Sequence, residues 1–220
     1  MGIGSRLSVD VIASCYDRHL REHATGKLLD LGCGKVPLYE SYREWVSTCI
    51  CVDWSNTAHK NLHLDYECDL TETLPFGDGE FDTVILSDVL EHIPTPEALC
   101  HEIARILATN GKLIMNVPFL YCLHEEPYDF FRYTEFALRR FMEVSGLKLI
   151  SLEPTGGSPE VLADFLAKSF AHVPLMGRAL AMFMQWVTLC FVRTRFGRKV
   201  SQATGKKFPF GYFLVAAKTA

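Results

Sequence analysis

The stretch Leu28-Leu29-Asp30-Leu31-Gly32-Cys33-Gly34 decides the fold. An apolar run carries an acid near its end, and two glycines follow one residue apart. Nineteen residues after Gly34 a second acid, Asp53, closes the apolar run Cys49-Ile50-Cys51-Val52. A parallel sheet that binds a nucleoside at the carboxyl ends of its first two strands begins this way. The glycines let the backbone turn sharply and approach a ligand closely. Asp53 can accept hydrogen bonds from both hydroxyls of a ribose.

The residues that follow separate two nucleotide chemistries. A dinucleotide fingerprint wants a third Gly or Ala three residues on, where a helix N-terminus holds a pyrophosphate. This chain has Lys35-Val36-Pro37 instead, and Pro37 suits the first turn of a helix. The acid at Asp30 would repel a pyrophosphate and suits a ligand with an ammonium or sulfonium group. The charge pattern therefore points to S-adenosylmethionine rather than NAD.

Further motifs come in order. Glu67-Cys68-Asp69-Leu70 precedes Leu74-Pro75-Phe76. Then come Phe81-Asp82-Thr83-Val84-Ile85-Leu86-Ser87-Asp88-Val89-Leu90-Glu91-His92-Ile93 and, after a helix-like segment, Gly111-Lys112-Leu113-Ile114-Met115-Asn116-Val117-Pro118. From Lys27 to Pro118 the chain resembles the class I S-adenosylmethionine-dependent methyltransferases, in particular the small-molecule type 11 group. The resemblance implies cofactor contacts at Asp30, Gly32, Cys33, Gly34, Asp53, Trp54, Asp69, Leu70 and Ser87. Asp30 and the glycine backbone would lie near the methionine amine and sulfonium. Asp53 would take the ribose, Asp69 the adenine amino group, and Leu70 the ring edge. Asp53 and Asp69 also read as plain strand-end caps. Ser87 to His92 would face the reacting methyl; Glu91 and His92 read either as pocket floor or as a turn with Glu91 capping the next helix.

Composition agrees with one globular domain over residues 1–220: 49% of residues are hydrophobic and 22% charged. A net charge of −4 leaves no electrostatic footprint for nucleic acid. Eight cysteines lie mostly inside apolar patterns, and no signal peptide is legible, so the expectation is reduced thiols and a cytoplasmic protein. With no C-x-x-C pair, no metal is expected. His19/His23 and His59/His63 have helical spacing, yet no third ligand stands out beside them, and solvated surface histidines are the plainer reading.

Periodicity predicts a leading amphipathic helix over Ser8–His23 and strands at Lys27–Leu31, Cys49–Val52, Asn61–Tyr66, Phe81–Ser87, Lys112–Val117, Leu147–Leu152 and Phe210–Ala217. Helices are expected at Pro37–Trp45 and across Leu99, Ile103, Ile106 and Leu107, the latter ended by Asn110-Gly111. The result is an α/β Rossmann-like, doubly wound, mostly parallel seven-stranded sheet with a helical insertion before the last strand.

Two segments exceed a minimal domain. Phe119 to Tyr133 reads FLYCLHEEPYDFFRY, with five ionisable residues (His124, Glu125, Glu126, Asp129, Arg132) among six aromatic ones. It resembles a His-x-x-Pro-x-Asp-x-x-Arg-Tyr segment of methyltransferases in bacterial surface-glycan and lipid-linked sugar pathways. An unperturbed imidazole suits taking a hydroxyl proton near neutrality, which makes His124 the candidate base, with His92 as its rival. Asp129 and Arg132 read as a structural pair.

The second segment, 154–207, contains fourteen uncharged residues, Ala179 to Val192, followed by Arg193, Arg195, Arg198 and Lys199. It is too short for an ordinary span of about 20 residues. It reads as a helix buried on the domain or a homodimer partner, as a lid over an apolar substrate, or as a membrane-surface helix over 179–199. The resemblance thus implies methyl transfer to a small-molecule or lipid-linked glycan acceptor, with oxygen as the expected acceptor atom. Its rivals are a non-catalytic cofactor-binding interaction protein and a peripheral membrane methyltransferase for a polyprenyl or quinone-like acceptor.

Overall fold

The computed structural model describes residues 6–34, 38–54, 64–171 and 173–219. A leading helix, α1 (Arg6–His23), precedes β1 (Lys27–Leu31), α2 (Tyr39–Tyr42), β2 (Thr48–Asp53), β3 (Tyr66–Glu67) and β4 (Phe81–Ser87). A short 3-10 turn, Leu90–His92, leads into α3 (Pro96–Ile106), β5 (Leu107–Pro118), α4 (Glu135–Val144) and β6 (Leu147–Thr155). Three helices, α5 (Ser158–Ala171), α6 (Gly177–Arg193) and α7 (Arg195–Gly205), come before β7 (Gly211–Lys218).

The seven strands form one sheet in the order β3-β2-β1-β4-β5-β7-β6. The pairs β1–β2, β1–β4, β2–β3 and β4–β5 are parallel. Sequence order reverses at β1, between β2 and β4, which is where open α/β sheets bind ligands at their carboxyl edge. The expected fold is the one observed.

The central strands are apolar because both faces are covered. Leu28, Leu29 and Leu31 on β1, and Val84, Ile85 and Leu86 on β4, are buried. The Tyr16 ring of α1 meets Phe213 of β7 edge-on at 4.8 Å, and His19 stacks on the same ring at 4.9 Å. Arg105, near the end of α3, pairs with Glu102 and donates to the carbonyls of Leu74 at 3.1 Å and Phe76 at 2.8 Å. One guanidinium thus ties α3 to the 74–76 turn, adding a second donor to the Leu74 carbonyl, which also accepts from Phe76 N at 2.8 Å.

Several boundaries differ from the sequence reading. Helix α3 ends at Ile106, and β5 starts at once. Pairing along β4 jumps from Phe81↔Leu107 to Thr83↔Lys112, so Asn110-Gly111 forms an irregularity in the strand rather than a helix end. Asn110 has φ 66°, and a Cβ on Gly111 would meet the Ala108 carbonyl oxygen at 2.8 Å. The turn chemistry was legible; the β-branched-poor run before it reads as helix, and sheet pairing with β4 overrides it. Only Tyr39–Tyr42 of the expected Pro37–Trp45 helix is α-helical, with turn residues after it, and Lys35–Pro37 lie outside the described residues. The third strand was expected at Asn61–Tyr66; residues 61–63 lie outside the described part, and the described strand is Tyr66–Glu67.

By backbone proximity the chain falls into two compact units. One comprises Tyr16–Val117, Glu125–Leu152 and Phe213–Ala220 and holds most of the sheet. The other comprises Met1–Cys15, Pro118–His124 and Glu153–Tyr212 and holds the three inserted helices. Its interior is stitched by polar groups. Buried Glu160 accepts from Gly157 N at 3.0 Å and Ser201 Oγ at 2.6 Å. Gln185 of α6 accepts from Leu7 N at 3.3 Å. No helix among the described residues is long and apolar enough to cross a membrane.

Candidate active site at the carboxyl edge of the sheet

The turn after β1 is built by its glycines. Gly32 N and Cys33 N donate to the Val52 carbonyl at 2.8 and 3.0 Å, which ties the turn to the end of β2. Gly32 has φ +71°, and a Cβ there would strike Val89 Cγ2 at 2.4 Å. Gly34 has φ +53°, and a Cβ there would meet nothing within 4 Å. The first glycine is thus required by packing, while the second borders open space. Cys33 is buried and clusters with Cys51.

Asp30 lies beneath this turn, buried, with Oδ2 accepting from the Tyr42 hydroxyl at 3.1 Å. Burial lifts its carboxyl pKa to about 7, against the pull of the Tyr42 hydrogen bond and with a smaller push from Asp53. The site therefore holds an acid that ionises near neutrality and gains from a nearby cation. Tyr42 was not singled out in the sequence; its signal was an aromatic residue on the first crossover helix, which faces β1 in any such unit.

Asp53 ends β2. Its Oδ1 accepts from Trp54 N at 2.8 Å, while Oδ2 is buried and has no hydrogen-bond partner among the described residues. A buried carboxylate oxygen without a donor is costly. Donors from a ligand would relieve that cost, and a ribose offers two. Asp69 is different: it is exposed, and its Oδ1 accepts from Thr71 N at 2.9 Å and Thr71 Oγ1 at 2.7 Å, the pattern of a turn cap. Leu70 beside it is buried.

At the ends of β4 and β5, Ser87 is partly buried and Asp88 has φ 52°, rare for a residue with a side chain. Two bonds hold it there: Asp88 N donates to the Asn116 carbonyl at 3.0 Å, and Asn116 Nδ2 donates to Asp88 Oδ1 at 2.6 Å. The sequence reading missed this pair; two polar residues at adjacent strand ends were its only trace.

The segment after β5 divides. Glu125–Tyr133 folds against the Leu90–His92 turn. The Glu91 carbonyl accepts from Phe130 N at 3.0 Å and Phe131 N at 3.2 Å, and Tyr133 donates to the Leu90 carbonyl at 3.0 Å. Both terminal nitrogens of Arg132 donate to Asp129, the structural pair expected. His92 Nδ1 lies 3.0 Å from the Tyr128 carbonyl. A carbonyl only accepts, so Nδ1 carries the proton. The Tyr128 ring packs edge-on against Trp54 at 5.0 Å. Tyr128 therefore bridges the strand ends of β2 and β4, which flank β1.

Phe119–His124 belongs to the other unit. There His124 meets Tyr121 edge-on at 5.2 Å, Tyr121 meets Phe210 at 5.5 Å, and Lys168 Nζ sits 3.4 Å over the Tyr121 ring. On α1, His19 and His23 stack at 5.6 Å with Glu22 close to both, so a third metal-ligating group does stand beside that pair. Residues His59 and His63 lie outside the described part.

The methyltransferase domain family model matches residues 29–115, from the first strand to the fifth. Over this segment the chain is similar to methyltransferase domains. The ubiquinone biosynthesis O-methyltransferase of Xanthomonas euvesicatoria pv. vesicatoria (strain 85-10) is 30% identical over 105 residues, 43% of this chain and 44% of that protein. The protein of the same name from Idiomarina loihiensis (strain ATCC BAA-735 / DSM 15497 / L2-TR) is 33% identical over 100 residues, 41% of each chain. The chain thus spans less than half the length of these relatives. The fold is shared more widely. An S-adenosylmethionine-dependent methyltransferase from Mesorhizobium loti superposes with TM-score 0.60 at 12% identity, over 96% of this chain and all of that one. The cyclase SpnF superposes with TM-score 0.62 at 16% identity, over 94% of this chain and 82% of that one. One methyltransferase-like fold therefore carries other chemistry, and activity must be argued from the site.

Proposed function

We propose that this protein is an S-adenosylmethionine-dependent methyltransferase that acts in the cytoplasm on oxygen of a small-molecule acceptor, free or linked to a lipid or glycan. The observation that carries the cofactor is Asp53 Oδ2, buried and without a donor among the described residues, together with the open space at Gly34. The two fit a ribose diol at the end of β2. Asp30 answers the positive end of the same ligand. Gly32, Cys33 and Gly34 supply the close backbone, Trp54 a face at the nucleoside, and Ser87 the floor towards the methyl. Asp69 and Leu70 border the adenine; with Oδ1 engaged by Thr71, Asp69 would use its other oxygen.

Bound, S-adenosylmethionine supplies an electrophilic methyl on a positively charged sulfur. That methyl would pass to the acceptor oxygen, with the neutral thioether as the leaving group. The residues contribute orientation and a dry site. The acceptor proton goes to a neutral imidazole, His124 or His92. The Tyr128 carbonyl sets the His92 tautomer, and Nε2, 3.7 Å from Glu91 Oε1, is the nitrogen that would receive the proton. The relatives' name points to an acceptor of the ubiquinone-precursor type; the resemblance of 124–133 points to a glycan. We read 154–207 as an elaboration of one domain.

The test is titration calorimetry with S-adenosylhomocysteine, then methyl transfer to a panel of phenols, catechols and sugar-linked polyprenols. Binding of S-adenosylhomocysteine with no response to NAD is expected. No response to S-adenosylhomocysteine would overturn the cofactor assignment. Binding without turnover on any acceptor would favour the non-catalytic reading.

A further inference from the structure

Helices α5 and α6 form a hairpin whose outward positions are apolar. On α5, Leu162, Phe165 and Leu166 are exposed while Glu160, Ala163, Asp164 and Ala167 face inward. On α6, buried Gly177, Ala181 and Gln185 mark the inner face. Met182, Phe183, Trp186 and Val187 are on the outer one, Trp186 at 60% exposure. The pattern on both helices is inverted relative to a water-facing surface helix: polar groups lie inside and large apolar ones outside.

The tip between the helices follows the same rule. A Cβ on Gly177 would meet the Phe170 carbonyl oxygen at 2.0 Å, so α6 starts hard against the end of α5. This close approach turns Leu175 outward, at φ 67° and full exposure, with Met176 beside it. A leucine held in the left-handed region with no burial gains nothing in water.

Charge selects the occupant of this face. After Asp164 the chain has no Asp or Glu, yet it has nine Lys and Arg, within a protein of net charge −4. Exposed Arg178 stands in the first turn of α6; exposed Arg193, Arg195, Arg198 and Lys199 stand at its other end and on α7. An apolar face ending in cations at both sides matches the layering of an anionic bilayer surface. Hydrocarbon takes the apolar side chains, Trp sits at the headgroup level, and the cations meet phosphates. At 17 residues α6 is about 25 Å long, suited to lying in the interface plane rather than crossing it.

We infer that the α5–α6 hairpin docks this protein on an anionic phospholipid membrane, with Leu175, Met182, Phe183 and Trp186 as the inserted residues. This inference does not depend on the acceptor or on the cofactor.

The experiment is flotation of the full chain with vesicles of phosphatidylglycerol and phosphatidylcholine, and with phosphatidylcholine alone. The chain should float with the anionic vesicles, and its fluorescence should shift to the blue, a shift lost in Trp186→Phe. Trp186→Glu and, separately, the double variant Arg193→Glu with Arg195→Glu should each lower partitioning about tenfold or more. Circular dichroism melts should match the parent, because all three side chains are exposed. Salt should weaken the parent's binding. Equal recovery with both vesicle types, indifference to both variants, or a stable dimer closed over Trp186 that leaves vesicles unbound would each overturn the inference.

Discussion

The Tyr42 hydroxyl donates to Asp30 Oδ2 at 3.1 Å and holds down the pKa of a carboxyl that burial lifts to about 7. An acid raised in the folded state binds protons that the unfolded chain has released. Its contribution to stability is therefore present at low pH and is lost as pH rises between its unfolded value near 4 and about 7. Ligand binding has the opposite sign, since a cation prefers the ionised acid. S-adenosylmethionine affinity should climb as pH rises through 7, by at most about tenfold per unit below it. Asp30→Asn should flatten that slope, and Tyr42→Phe should move it to higher pH. Calorimetry at several pH values checks both; a flat profile in the parent would disprove the coupling.

Asp53→Ala should weaken S-adenosylhomocysteine binding by about 2–4 kcal/mol, since two ligand hydroxyls lose a charged acceptor. The melting temperature of the free protein should change little or rise, because the lost carboxylate has one oxygen buried without a donor. An unchanged dissociation constant would leave Asp53 as a strand-end cap.

The two glycines of the first turn should respond differently to alanine. Gly32→Ala adds a Cβ against Val89 at a positive φ and should destabilise by about 2–4 kcal/mol in urea unfolding. Gly34→Ala meets open space and should cost about 1 kcal/mol of backbone strain, with its main effect on ligand affinity. Equal losses of stability would refute this division.

Arg105→Met should destabilise by about 1–3 kcal/mol, because the Phe76 carbonyl loses the guanidinium, the Leu74 carbonyl keeps only Phe76 N, and Glu102 loses its ion-pair partner. Thermal unfolding of the free protein measures it, and cofactor affinity should stay near the parent value.

His92→Ala and His124→Ala separate the two imidazoles. The general base should show a fall in turnover with the acidic limb of the pH profile removed, while S-adenosylhomocysteine affinity holds. Loss of turnover in His92→Ala alone would assign the base to His92. Full turnover in both would leave orientation to carry the reaction.

How much of this could be read in advance followed the range of the interactions. β1 and β4 were legible to the residue, because continuous apolar runs between turn signals admit one assignment. The inserted helices were legible as an insertion. The end of α3 was not, since pairing of Leu107 with Phe81 is decided across the sheet. The same holds at the site. Gly32, Gly34 and Asp53 announce themselves by spacing. Tyr42 under Asp30, Asn116 on Asp88 and Tyr128 on Trp54 are contacts between residues far apart in sequence, with no local signature. Phe119–Tyr133 reads as one loop, yet its two halves pack into different compact units, which composition does not reveal.

Tyr128, held to His92 by its carbonyl and to Trp54 by its ring, bears on time rather than on affinity. A nucleoside seated between the ends of β2 and β4 would leave only after that ring swings off Trp54. Residence of the spent cofactor, and hence the degree of product inhibition, would then be governed by one aromatic contact that the chemistry never uses. Trimming Tyr128 to alanine should hasten both arrival and departure of S-adenosylhomocysteine in stopped-flow traces, while the ratio of the two rates stays nearly fixed.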